Sequence, residues 1–189
     1  MIIYYNNRQI SLALQFNLSR WKRWSREFLP PDPLGGLQSG YARQYSMREA
    51  FQVALGGYLV GFMKFSVHQA RTILMDLEPW MKRNGFYYWN PKQRHESEVE
   101  KIKENYGIYI RKGEPNIGDQ EAFGYAVAPI SALRSEIFDR VESVNADQNI
   151  EFIKIDEGLR SSFFLTPWLH YLPAGQFRKW FLDRLHPSH

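Results

Sequence analysis

Apolar residues near the start of the chain recur at the three- and four-residue spacing of helices. This spacing predicts a short helix over residues 9–16 and a second helix over residues 18–28, for which Asn17 supplies the N-cap. Pro30 prevents the second helix from continuing further. The stretch that follows, residues 29–46, is rich in proline and glycine, so it predicts a loop with a small β-ribbon.

Two capping boxes mark the beginnings of two further helices. Ser46 and Ser66 are each followed three residues later by Glu or Gln, and an apolar stripe of helical spacing comes next. The first stripe extends to Phe62 but contains glycines, which weaken the helix prediction in its second half. Pro79 and the Asn-Gly pair at 84–85 are expected to end the last of these helices.

After residue 85 the pattern changes to short aromatic and β-branched runs that indicate strands, with helical patterns over residues 97–105, 131–144 and 174–185. The predicted fold class is therefore α+β. We expect two domains, a mainly helical one over residues 1–85 and a small α+β one over residues 86–189. The predicted strands are 86–89, 107–111, 123–128, 150–155 and 161–165, with a hairpin turn at 156–158.

The order of elements in the first domain is that of a winged helix-turn-helix, in which the second helix enters the major groove of DNA. A stripe formed by Trp21, Trp24 and Phe28 is predicted to pack on the first helix. The remaining circumference carries a broad basic arc, although an ordinary amphipathic surface helix has the same pattern. The arc comprises Arg20, Lys22, Arg23 and Arg26.

The distribution of charge agrees with a nucleic-acid-binding first domain. Residues 1–85 carry eleven Lys or Arg and five Asp or Glu, a net charge of +6. Residues 86–189 carry thirteen and fifteen, a net charge of −2. A basic excess of this kind is typical of DNA-binding domains, but it also occurs on ordinary solvated surfaces.

Composition excludes several kinds of chemistry. The 189-residue chain has no cysteine, which excludes disulfides, thiolate metal sites and a thiol nucleophile. Its five histidines lack metal-ligand spacing, and no phosphate-binding loop or nucleophile motif is present, so we predict no metal, no cofactor and no enzymatic activity. No apolar run is long enough to span a membrane and the N-terminus lacks signal-peptide features, so we expect a cytoplasmic protein.

Residues 9–80 resemble the DNA-binding domain of the MerR superfamily of transcription regulators. The resemblance lies in residues 21–28 (WKRWSREF), which match the end of that family's recognition helix, and residues 40–46 (GYARQYS), which match the end of its wing. The leucine-rich helix, Gly-aromatic turn and capped short helix that follow in the family are similar to residues 55–60, 61–62 and 66–74.

This resemblance implies a winged helix-turn-helix that binds double-stranded DNA, with Tyr41, Arg43 and Tyr45 bracing the wing on the DNA backbone. Two positions depart from the family pattern, because Lys22 and Gln44 stand where arginine is usual. Lys22 would make a point-charge contact in place of the bidentate contact of an arginine. The family's long dimerisation coiled coil is absent as well, so a homodimer would form by another route.

Aromatic clusters are the main candidate for chemistry in the second domain. They form either a ligand pocket or simply the core of a small domain. The candidate pocket residues are Tyr88, Trp89, Trp168, Tyr171 and Trp180.

The sequence therefore predicts a sequence-specific DNA-binding transcription regulator whose C-terminal domain senses a small-molecule effector, binds a protein partner or dimerises. The alternative is a protein–protein interaction module on a degenerate winged helix that does not bind DNA. An enzyme built on the second half ranks last, because no catalytic motif supports it.

Overall fold

A computed structural model describes residues 4–32, 42–87, 105–113, 122–129, 150–160, 162–165 and 169–185. Five α-helices and six strands occur among these residues, so the fold belongs to the α+β class. The chain divides into two compact units. The helical unit comprises residues 1–94 together with residues 178–189, and the sheet unit comprises residues 95–177.

The helical unit begins with strand β1 (Tyr4–Asn6) and helix α1 (Asn7–Ala13). Asn6 and Gln9 form a reciprocal capping box, which starts α1 two residues before the predicted position. The turn that follows contains Gln15 in a left-handed conformation with φ of 57°. Helix α2 (Leu18–Phe28) has the predicted bounds, and the Asn17 side chain accepts hydrogen bonds from the amides at its start.

The ribbon before the third helix differs from the prediction. Strand β2 (Gln44–Ser46) pairs antiparallel with β1, so its partner in the described residues is the N-terminal strand. The sequence analysis assigned no strand to Tyr4–Asn6, because three residues are too few for a recognisable alternation. The part of the predicted wing at residues 33–41 lies outside the described residues.

Helices α3 (Met47–Gly61) and α4 (Val67–Arg83) begin at the two predicted capping boxes, which are confirmed. Gly85 follows α4 with φ of 68°, the left-handed conformation expected after a helix end. Two details of the prediction are wrong. Phe62 is 71% exposed and does not join the core. Pro79 lies within α4, on its exposed side, where water can hydrate the carbonyl that its missing N–H leaves free.

The sheet unit contains a four-stranded antiparallel sheet with the order β5-β4-β3-β6. Strands β3 (Tyr106–Lys112), β4 (Phe123–Pro129) and β5 (Glu151–Ile153) confirm three of the predicted strands. The edge strand β6 (Leu169–Leu172) was not predicted. Ile108 of β3 lies at the centre of the buried face. It is opposite Val127 of β4 on one side and Leu172 of β6 on the other.

Two other predicted strands, 86–89 and 161–165, are not strands in their described residues. Residues 163–165 form a 3-10 turn, as do residues 157–159, where a hairpin was predicted. Phe86 and Tyr87 lie in a turn after α4. Their bulky aromatic side chains gave a strand-like pattern, but they pack against the helices. The helices predicted at 97–105 and 131–144 fall almost entirely outside the described residues.

The final helix, α5 (Ala174–Leu185), has the predicted bounds. We expected residues 86–189 to form one domain, whereas the residues from Arg178 onward group with the helical unit. In that unit the Phe181 ring contacts the Phe51 ring of α3 edge-on at 5.2 Å. The buried Arg178 donates a hydrogen bond from Nε to the Phe86 carbonyl at 3.3 Å.

Candidate nucleic-acid interface

Helix α2 is anchored by the aromatic stripe that the sequence predicted. Trp21, Trp24 and Phe28 are buried on one side of the helix, together with Ser25. The four cations of the predicted basic arc project from the remaining circumference, and each is exposed. The helix therefore presents a mainly basic surface opposite its anchor, with Glu27 as the one carboxylate of α2 on it. These cations are Arg20, Lys22, Arg23 and Arg26.

We had expected the anchor to pack on α1. It packs mainly on α3 instead. A Cβ atom built on Gly57 would lie 2.3 Å from the Trp24 ring, and one on Gly56 would lie 2.6 Å from the Phe28 ring. The glycines that weakened the helix prediction are therefore the positions that let α2 approach α3 closely. Trp24 also meets the Phe16 ring edge-on at 5.2 Å in the turn after α1.

Most of the basic arc is not neutralised by the protein itself. Among the described residues, Lys22, Arg23 and Arg26 form no ion pair with a carboxylate. The Arg20 guanidinium lies 5.9 Å from the centre of the Trp24 ring, which restricts its orientation without cancelling its charge. This surface thus carries positive charge that an anionic partner can use.

Tyr45, which we expected to brace the wing on the DNA backbone, lies instead in the core with 1% of its surface exposed. Its hydroxyl donates to Asn7 Oδ1 at 2.7 Å and is hydrogen-bonded to the Ser25 hydroxyl at 2.8 Å. Its ring contacts the Trp21 ring at 5.6 Å. Burial raises the pKa of Tyr45 above its ordinary value, so this hydroxyl stays protonated and holds the inner face of α2.

Arg43 is also used within the protein. Its Nη1 donates to the Pro30 carbonyl at 2.9 Å, and its Nη2 lies 3.8 Å from Glu49 Oε1. Its guanidinium lies over the Tyr45 ring at 5.5 Å, and only 15% of the side chain is exposed. Arg43 therefore ties the segment after α2 to the start of α3. Tyr41, the third predicted wing residue, lies outside the described residues.

A basin of about 750 Å³ adjoins the C-terminal half of α2. It is lined by three cations, Lys22, Arg26 and Arg43, and by the carboxylate of Asp32. Leu29, Pro30 and Pro31 add apolar surface to the same lining. Three cations against one carboxylate give the lining a positive net charge, which favours an anionic group.

Two of the five predicted pocket residues lie in the described part of the chain, one in each unit. Tyr171 lies on the sheet, where its ring contacts the Tyr109 ring at 5.0 Å. Trp180 belongs to the helical unit and contacts the Phe16 ring at 6.0 Å. Each ring thus packs within its own unit. The other three predicted pocket residues, Tyr88, Trp89 and Trp168, lie outside the described residues.

The contact of the C-terminal helix with the turn between α1 and α2 was not predicted. Phe16 sits in the turn between α1 and α2, and its ring lies between those of Trp24 and Trp180. The spacing of aromatic residues in α5 indicated an apolar face but could not identify its partner, because that partner is distant in sequence.

No protein-family model, curated protein or solved structure matches this chain. No group of residues suited to hold a metal ion occurs in the described ranges. Within the same ranges, no helix has the length and apolar character needed to cross a bilayer.

Proposed function

We propose that the chain is a cytoplasmic, sequence-specific DNA-binding transcription regulator and that α2 is its recognition helix. The observation that carries this proposal is the division of α2 into a buried aromatic anchor and an exposed basic arc. Lys22, Arg23 and Arg26 have no carboxylate partner in the described residues. A helix held in this way can enter the major groove with its cations directed at phosphates and base edges.

The surrounding elements support this proposal. Helix α1, the turn and α2 follow one another as in a winged helix-turn-helix, and β2 leads directly into the capped helix α3. The first 85 residues carry the basic excess of the chain. The resemblance of residues 9–80 to the MerR superfamily points to the same function. The rest of the chain would then bind an effector or a protein partner, or form a homodimer.

Fluorescence anisotropy tests the proposal directly. The protein is titrated with the duplex upstream of its own gene and with a scrambled duplex, at about 50 and about 200 mM salt. We expect tighter binding to the native duplex. Each phosphate contact contributes about −0.9 to the slope of log K against log salt concentration, so four cations of the arc give about −3.6. A slope near twice that value would indicate that a dimer binds.

The double variant K22A/R23A is expected to weaken DNA binding and to reduce the magnitude of the salt slope by up to about 1.8. The matched control is K112A/K154A, which removes the same charge from exposed lysines of the sheet unit. If the two double variants have the same effect, binding depends on net charge alone and α2 is not the recognition helix.

A second candidate is a protein–protein interaction module on a winged helix that does not bind DNA. The observation that favours it is the internal use of Arg43 and Tyr45, two of the three predicted wing contacts. Under this proposal, neither duplex binds at moderate salt. The protein forms a stable complex with a protein partner instead. The affinity of that complex changes little with salt concentration, and K22A/R23A does not weaken it.

A further inference from the structure

The C-terminal end of α2 is held by side chains from other helices. Arg71 of α4 donates from Nε to the Glu27 carbonyl and from Nη2 to Glu27 Oε2, both at 2.7 Å. Gln52 of α3 donates from Nε2 to the Phe28 carbonyl at 3.0 Å. A helix leaves its last carbonyl groups without an intrahelical donor, so these bonds satisfy acceptors that would otherwise need water.

These hydrogen bonds add a directional restraint at the C-terminal end of α2, beyond the one that Tyr45 supplies to Ser25 on its inner face. Trp24 and Phe28 pack on Gly57 and Gly56, which have no side chains. These contacts set the distance between α2 and α3 through dispersion, which is non-directional. Hydrogen bonds depend on both distance and angle, so those to Glu27 and Phe28 fix the helix along and around its axis.

We propose that Arg71 and Gln52 are positioning residues that set the sequence specificity of α2 without contacting bases. This inference rests on the proposed function. A base contact requires correct distance and angle at a particular edge, whereas a phosphate contact tolerates small displacements. Loosening the end of α2 should therefore reduce discrimination between DNA sequences while general affinity for DNA is retained.

Three variants separate this role from a simple effect of charge. R71Q removes a positive charge and E27Q removes a negative one, yet each breaks the same ion pair. Q52A breaks the bond to Phe28 without changing the charge. The matched control is E78Q, which removes an ion pair between α3 and α4 that does not involve α2. Circular dichroism and thermal melting check that each variant is folded.

The first readout is the ratio of the dissociation constants for the scrambled and native duplexes. We expect this ratio to fall about threefold to fivefold in R71Q, E27Q and Q52A, in line with the loss of one exposed ion pair or hydrogen bond. E78Q should leave it unchanged. A pure charge effect would instead tighten binding of E27Q, weaken that of R71Q and leave both ratios at the wild-type value, which would overturn the inference.

The second readout uses the free protein. Hydrogen exchange of the peptide covering residues 18–29 should accelerate in the three variants and stay unchanged in E78Q. Unchanged exchange in the three variants overturns the positioning role whatever the DNA results. If the wild-type protein binds both duplexes equally, the proposed function fails together with this inference. If the wild type discriminates and the variants discriminate equally well, only this inference fails.

Discussion

The close approach of α2 to α3 makes Gly57→Ala a demanding test of how helix α2 is seated. Gly57 is buried in the middle of α3, and its Cβ would lie 2.3 Å from Trp24 Cε3. An ordinary van der Waals contact needs at least 3.4 Å, so the two groups must separate by more than 1 Å. Trp24 cannot turn away freely, because its other side meets the Phe16 ring. The added methyl group must therefore push α2 away from α3.

Two opposing terms determine the size of the effect. Alanine is favoured over glycine within a helix by about 0.8–1.0 kcal/mol. Insertion of a methyl group into a packed core costs about 1–3 kcal/mol, and a contact as short as the one at Gly57 belongs at the upper end. We therefore expect Gly57→Ala to lower the free energy of unfolding by about 2 kcal/mol.

Gly61 provides the matched control, because it lies one turn further along α3. Its Cβ would be 3.5 Å from Trp24, which is an ordinary contact. Gly61→Ala should therefore be neutral or stabilise the protein by up to about 1 kcal/mol. Urea denaturation followed by tryptophan fluorescence gives both values. If Gly57→Ala proves as stable as the wild type, α2 does not depend on the glycine surface and the packing argument is wrong.

Three further predictions concern the buried polar and aromatic contacts of the helical unit. Tyr45→Phe should cost about 1–2 kcal/mol in urea denaturation, because the buried Ser25 hydroxyl loses its partner; no loss would mean that water replaces this bond. Trp180→Ala should cost about 1 kcal/mol, since its contact with the Phe16 ring is lost, and an unchanged midpoint would contradict the assignment of the residues from Arg178 onward to this unit. Burial raises the pKa of Tyr87 to about 12, so the folded protein holds this proton more tightly than the unfolded chain. Stability should fall as pH rises from about 10 to about 12, and Tyr87→Phe should reduce that loss. Urea midpoints of the wild type and of Tyr87→Phe at about pH 9 and about pH 11 measure this loss of stability. An equal loss in the two proteins would refute the prediction.

Local sequence signals predicted the helices well. Asn17, Ser46 and Ser66 each cap a helix as expected, because a capping side chain bonds to amides only two or three residues away. The basic arc and aromatic stripe of α2 followed from helical periodicity for the same reason. Such features require no knowledge of what the helix packs against.

Features that depend on distant partners were not predicted. The pairing of Tyr4–Asn6 with Gln44–Ser46 joins segments about forty residues apart, and neither segment has a strong strand pattern of its own. This pairing places Tyr45 beneath α2, where its hydroxyl meets Asn7 and Ser25. The sequence analysis treated Tyr45 as a surface residue of the wing, because periodicity cannot indicate which face of a three-residue strand is covered.

The glycines of α3 connect the fold to the proposed function. Considered alone, Gly56 and Gly57 weaken a helix, since glycine has more conformational freedom to lose than alanine. Their benefit appears only when α2 is present, because the rings of Phe28 and Trp24 occupy the space that side chains would fill. The close contact buries the aromatic stripe of α2, so the rest of its circumference carries the four cations of the arc together with Glu27 and small polar groups. A helix seated less deeply would expose parts of its aromatic stripe beside the arc, and apolar rings at the edge of a phosphate-binding surface would weaken its preference for DNA.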